Sequence, residues 1–334
     1  MIELGIGFAL LSGICNGLFT TPMKLIPRWK WENIWLVFIV TSCLIAPLAL
    51  VACTVPDFRL LFANAPAGAV AYALLFGFAW GFGAIFFGQS VSRLGVSLAN
   101  TLVIGLSSAL GSLVPLVLSG HFGFERRHVM LYAGVSAFLS GVSICGKAGR
   151  QRGLDNDPAV GGGTNWTGYL LALGAGVMSA VFNIGYSLAL PIAETGKQMG
   201  YSSFLATNCI WVLMLGAGSI PNIVYCVLLA RRNKSTQLFF AEHPLRAWQL
   251  SILMGVLWGG SIFLYGAATP LLGDLGPSIG WPLSLAVGLL TANLMGFLLR
   301  EWHSAARNTI RTMLLGIGLL LVAVVFCALS TKAA

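Results

Sequence analysis

Charge is what this chain has least of. Of its 334 residues only 9% are Asp, Glu, Lys or Arg, while 57% are hydrophobic. Soluble domains carry about 25% charged residues, and so few cannot cover a water-facing surface on a chain of this length. Acidic groups are the scarcest, 10 against 19 basic ones. The net charge of +9 does not point to nucleic acid, because the basic residues sit in short segments between apolar runs and not on one helical face. The solvent that remains is lipid, in keeping with a mean hydropathy of +0.86.

The spacings of metal and redox chemistry are missing too. Cys15, Cys43, Cys53, Cys145, Cys209, Cys226 and Cys327 form no C-x-x-C pair and lie within or beside apolar runs. They read as small buried hydrophobes. The four histidines fall in loops or at the ends of runs without clustering. No phosphate loop, nucleotide fingerprint or nucleophile elbow is present, and Gly161-Gly162-Gly163 lacks the strand and helix that a phosphate cradle needs. An intramembrane enzyme would need a polar catalytic set at one depth, and none is found. No cofactor is implied. The opening Met1-Ile2-Glu3 has no basic n-region, so the first run reads as a retained helix.

What the chain does have is long apolar runs. A helix needs about 20 apolar residues to cross the hydrocarbon layer, and ten stretches qualify: 2–23, 32–55, 68–90, 95–119, 128–148, 166–193, 201–229, 247–269, 275–299 and 309–330. Backbone groups in lipid must bond internally, which makes these helices. Unbroken runs of this length argue against the alternating strands of a barrel. The segment 149–165, GRQRGLDNDPAVGGGTN, reads as a flexible linker at the midpoint. The loops after odd-numbered spans carry most of the 19 basic residues; the opposite side holds only Arg59, Arg126, Arg127, Lys197 and Lys332. The positive-inside rule makes the odd loops cytoplasmic, which puts both termini on the outer, periplasmic side.

Self-similarity organises the runs. FGFAWGFGAIFFGQ (76–89) aligns with MGVLWGGSIFLYGA (254–267), so that Gly77, Trp80, Gly81, Phe87 and Gly88 meet Gly255, Trp258, Gly259, Tyr265 and Gly266 at a constant separation of 178 residues. More weakly, Gly13, Asn16, Phe19 and Thr20 fall opposite Gly176, Ser179, Phe182 and Asn183. Five spans separate the copies, and an odd number turns the second upside down. Inverted repeats of this kind build many secondary transporters, with the site near the midplane. The expected fold is an all-α polytopic membrane protein of about ten transmembrane helices, arranged as two inverted five-helix repeats: residues 1–148, the cytoplasmic linker 149–165, and residues 166–334.

Polar groups inside lipid are costly, so their faces matter. Asn16 and Thr20 share one face of the first span, and Ser179 and Asn183 repeat that face on the sixth; amides and hydroxyls here can bond a solute's hydroxyls or a neighbouring helix. Trp80 and Phe87 share a face of span three, Trp258 and Tyr265 of span eight, and Trp281 stands at the head of span nine. Such rings stack on the apolar face of a sugar or pack the core. Trp80 and Trp258 sit mid-span, where interfacial anchoring explains little. Gln89, Asn100, Thr101, Asn208 and Ser284 are further polar candidates. Carboxylates lie only at span ends, which leaves Asp274 on the outer side and Glu32 on the inner side as the candidates for proton coupling. Glu32 is also expected to pair with Lys24 in a structural salt bridge.

These residues carry a family resemblance. FTTPMKLIPRWKWENIW (19–35), AWGFGAIFFGQSVSRLGVS (79–97) and LLREWHSAAR (298–307) resemble the corresponding segments of the L-rhamnose/proton symporters, over nearly the whole chain. Those symporters belong to the drug/metabolite transporter superfamily. The resemblance implies a multi-pass carrier of the bacterial inner membrane that takes up a monosaccharide with protons by alternating access. Trp80, Tyr265 and Trp281 match the family pattern; Ala84, Phe86, Ser261 and Pro277 depart from it toward a more apolar cavity. The rival within the superfamily is an exporter of amino acids or other metabolites.

Overall fold

The computed structural model describes residues 2–94, 96–120, 123–156, 166–240 and 244–331. Helix accounts for nearly all of them, no strand occurs among them, and ten helices are long and apolar enough to cross a membrane. In chain order they are α1 (Ile2–Leu18), the broken pair α2 (Trp31–Ile39) and α3 (Ala46–Thr54), then, after the short loop helix α4 (Phe58–Asn64), α5 (Ala67–Leu94), α6 (Val96–Leu118), α7 (Arg126–Asn156), α8 (Trp166–Gln198), α9 (Ser203–Arg232), α10 (Leu245–Ala268), α11 (Gly276–Leu298) and α12 (Arg307–Ser330). The ten expected spans are all present.

Two details differ from the sequence reading. The second span is not one regular helix: Val40–Ile45 forms a π-helical turn between α2 and α3. Pro47 explains it, since a proline removes the bond to the carbonyl four residues back and its ring crowds that carbonyl, which the wider turn relieves. The fifth span runs on to Asn156, so the first part of the expected linker is helical. Residues 157–165 lie outside the described residues.

Lipid tails are as apolar as leucine, so helix association relies on close packing through small residues. The glycines do this here. A Cβ at Gly255 would lie 2.6 Å from Thr41 Cβ, which lets α10 press on the second span. One at Gly13 would lie 2.7 Å from the Ser284 carbonyl oxygen of α11. Gly77 and Gly81 of α5 meet the backbone of α9 in the same manner, at Met214 and Gly218. The contacts are reciprocal: α1 packs on α10 and α11, α8 packs on α5 and α6, and α7 lies along α12. The outer surface is left to large apolar side chains such as Leu75, Leu170, Val224 and Leu315.

The loops sort into two ends. Lys30 Nζ donates to the Asn233 carbonyl (3.1 Å) and Arg152 Nη1 to Glu301 Oε2 (3.1 Å), which gathers the basic odd-numbered loops at one end, here called the basic end. The opposite, far end joins Tyr201 to Asp57 (3.3 Å).

Candidate solute-binding site

A cavity of about 150 Å³ lies between α1, α5, α8, α10 and α11, lined by Ser12, Asn16, Trp80, Ser179, Phe182, Trp258, Ser261, Ile262, Tyr265, Trp281, Ser284 and Leu285. At roughly 30 Å³ per water it holds about five waters, the scale of a small solute, and it falls below the ~300 Å³ at which pockets for drug-sized ligands begin. Its walls are indoles and hydroxyls.

Trp80 and Trp258 stack on each other across the seam, ring centroids 5.4 Å apart and 11° from parallel. They come from α5 and α10, so the repeat that the sequence displays brings its two tryptophans face to face. Phe182 lies against Trp80 at 4.8 Å. Trp281 stands edge-on to Tyr265 at 5.4 Å, and its Nε1 donates to the Ser107 carbonyl at 3.2 Å. Glycine makes room for that indole, since a Cβ at Gly111 would lie 2.7 Å from it.

The polar lining divides by what is already bonded. Ser12 Oγ lies 2.7 Å from the Ser261 carbonyl and 2.8 Å from Ser284 Oγ, while Ser261 Oγ donates to the Trp258 carbonyl at 2.6 Å. Ser179 Oγ accepts from Ser107 Oγ at 2.8 Å. Asn16 is different. It lines the cavity and, among the described residues, its side chain makes no hydrogen bond. It is the group best placed to bond an incoming hydroxyl.

Asn183, expected as a solute ligand one turn from Ser179, is fully buried behind the cavity. Its Nδ2 donates to the carbonyls of Gly111 (2.7 Å) and Pro277 (3.2 Å), and its Oδ1 accepts from the Tyr265 hydroxyl. Next to it the Tyr186 and Thr269 hydroxyls bond each other. Tyr186 stacks on Trp211 at 4.6 Å, and among the described residues the buried Trp211 Nε1 has no acceptor. This cluster closes the seam on the far-end side of the cavity.

The other expected residues lie elsewhere. Thr20 is exposed at the basic end, just past α1. Phe87 packs against Val103 of α6 and Ala172 and Ala175 of α8, outside the cavity lining. Gln89 sits half-buried one turn from the end of α5, outside the cavity lining. The side chain of Asn100 lies outside the described residues. Asp274 is exposed in the turn before α11 at the far end.

Glu32 is buried at the basic end, where it accepts from Asn233 Nδ2 (2.9 Å) and Ser235 Oγ (2.7 Å). The expected Lys24–Glu32 salt bridge does not form. Lys24 pairs with Glu301, which also holds Arg152. The reason is geometric: Glu32 opens α2 facing the end of α9, whereas Lys24 sits on the turn that faces the end of α11. Ser12 was missed as a lining group, and Ser261 was noted only as a departure from the resembling pattern. Ser12 lies one turn from Asn16 and Ser261 one turn from Trp258, on shared faces, which was the available signal.

Ten apolar helices around a small cavity of hydroxyls and indoles, closed off toward one end, define a polytopic membrane transporter. The family model described as "L-rhamnose-proton symport protein" matches residues 1–333, and the chain belongs to that family. Similar curated proteins include the L-rhamnose-proton symporters of Cronobacter sakazakii, 29% identical, and of Shigella dysenteriae, 27% identical, each match covering 96% of both chains. A solved crystal structure superposes with a TM-score of 0.59 over 96% of both chains at 15% identity, a likeness of fold alone.

Proposed function

We propose that this chain is a proton-coupled importer of a monosaccharide, L-rhamnose or a close relative, working by alternating access between inverted halves 1–148 and 166–334. The observation that carries this reading is the cavity at the repeat seam, where Trp80 and Trp258 offer ring faces and Asn16 an unoccupied amide. A deoxy-sugar presents that combination, an apolar face and a set of hydroxyls. The names of the relatives support the sugar, the proton and the inward direction over an exporter. The reciprocal helix contacts support the inverted repeat. The basic end would face the cytoplasm of a bacterial inner membrane, with both termini periplasmic.

In this reading Asn16, Trp80, Trp258, Tyr265 and Trp281 hold the solute together with the serines of the lining. Asp274 and Glu32 flank the route at its two ends and are the carboxylates available for coupling. Proteoliposomes test it. Addition of L-rhamnose outside is expected to draw protons in and to drive sugar accumulation under an inward proton gradient. Sugar and proton fluxes that are both absent would remove the reading, and outward substrate movement would favour an exporter. Trp258→Ala is expected to abolish uptake at unchanged membrane abundance; unaltered kinetics would take Trp258 out of the site. Asp274→Asn is expected to leave sugar exchange intact while abolishing proton movement.

A further inference from the structure

The two ends of the seam carry equivalent residues in unequal states. The repeat places Phe87 opposite Tyr265, and Thr20 opposite Asn183. The packing extends this register to α6 and α11. Gly13 meets the Ser284 carbonyl and Val287, while Gly176 meets the Val103 carbonyl and Leu106. Val103 therefore corresponds to Ser284 and Leu106 to Val287. In the same register Gly111 corresponds to Ala292, and Val96 to Pro277.

At the far end these positions are locked. Asn183 joins Gly111, Pro277 and Tyr265 through one side chain. A Cβ at Gly266 would lie 2.5 Å from the Trp211 indole nitrogen. At the basic end the same positions are apart. Thr20 and Ala292 are exposed, and among the described residues the Thr20 hydroxyl makes no hydrogen bond. Phe87 is half-buried against Val103 of α6 and Ala172 and Ala175 of α8, outside the cavity lining. Gly88, the counterpart of Gly266, has only the Trp31 ring near its Cβ position, at 3.6 Å.

We propose that Thr20 and Phe87 form the second gate of this carrier, closing the basic end against the start of α6 when Asn183 and Tyr265 part at the far end. The inference rests on the alternating-access reading above and adds the residues that make the second state. Thr20 lies in the turn just past α1, four residues beyond Asn16 on the basic-end side. The register puts the Val96 backbone carbonyl where the Pro277 carbonyl now receives Asn183. Closure therefore gives the Thr20 hydroxyl an acceptor beneath the cavity, and Phe87 enters the seam as Tyr265 has. The two gates differ in strength. The far-end gate has an amide and a phenol; the basic-end gate has one hydroxyl and a phenyl ring that cannot donate. The resting carrier therefore favours the state in which the far end is shut.

Installing the stronger chemistry at the weaker gate tests this. The reporter is Ser278→Cys, a position buried at 3% exposure beside Pro277. It is labelled with a membrane-impermeant maleimide in the full chain, with Cys15 and Cys53, the two thiols that are not buried, replaced by Ser. In the parent the reporter is expected to be protected. Thr20→Asn with Phe87→Tyr is expected to speed labelling about fivefold, the shift that one added net hydrogen bond supplies. Tyr265→Phe, which weakens the far-end gate directly, is expected to speed it as well. Fast labelling of the parent would overturn the proposal, and so would a double variant that labels at the parent rate while Tyr265→Phe accelerates. No sugar is used in the labelling, so a wrong solute sinks the functional reading in the flux assay without touching this result.

Discussion

The sequence match sets Thr20 opposite Asn183, yet one, Asn183, is the most tightly held polar side chain of the seam and the other stands in the open. The difference follows from physical chemistry. A primary amide has two donors and an acceptor, so it can be buried only where three partners converge. The far end supplies them from α6, α10 and α11. A threonine needs less and holds less, so its end of the seam separates more easily. The comparison teaches that polarity on a membrane helix does not by itself mark a ligand group. Asn16 lines the cavity with no hydrogen bond among the described residues, Asn183 is a fastener, and a count of partners tells them apart.

Breaking the fastener should have the largest effect. Asn183→Leu orphans the Tyr265 hydroxyl and two carbonyls, and a loss of about 3 kcal/mol or more is expected, read as a clear fall in thermal unfolding temperature in detergent. An unchanged midpoint would mean that the amide is not holding the far end. Next come the packing glycines. Gly255→Ala forces a Cβ against Thr41 and should cost about 1–3 kcal/mol, whereas Gly259→Ala, 3.5 Å from Ser42, should be nearly neutral. Equal costs at the two positions would contradict the close approach of α10.

Smaller still is Glu301→Gln. It removes the partner of Lys24 and Arg152 at a half-open site, and partly exposed pairs contribute about 0–1 kcal/mol each. The loss should shrink further as salt is raised. At the bottom of the scale, Thr20→Val is expected to change stability by less than about 0.5 kcal/mol. A large loss there would show that Thr20 already has partners, and the contrast with Asn183 would collapse.

The spans were legible because length and hydropathy decide them and nothing competes. The π turn in the second span was not, since Pro47 announces a disturbance without saying whether the helix kinks or widens. Helix α4 was missed because seven residues between two spans carry too little pattern. In the site, Trp80 and Trp258 were legible through the repeat, as mid-membrane indoles with no interfacial role. Ser12 was not, and Ser261 only as a departure from the resembling pattern. Serine commonly bonds the backbone of its own helix, as Ser261 does to Trp258, so its presence in a span says little about a cavity. Lys24 was assigned to Glu32 because the two are close in sequence. Its true partner, Glu301, lies at the other end of the chain, and only the packing of α1 on α11 brings them together.

Trp211 gives the shut far end a particular temper. Its indole hydrogen is buried and, among the described residues, meets no acceptor, a defect that costs a buried donor about 1–3 kcal/mol. The flaw takes back part of what the Asn183 bonds give, which leaves the favoured shut state in a shallower well. A ligand that grips only modestly can then tip the molecule over, and the same shallowness lets it tip back once the cargo has gone.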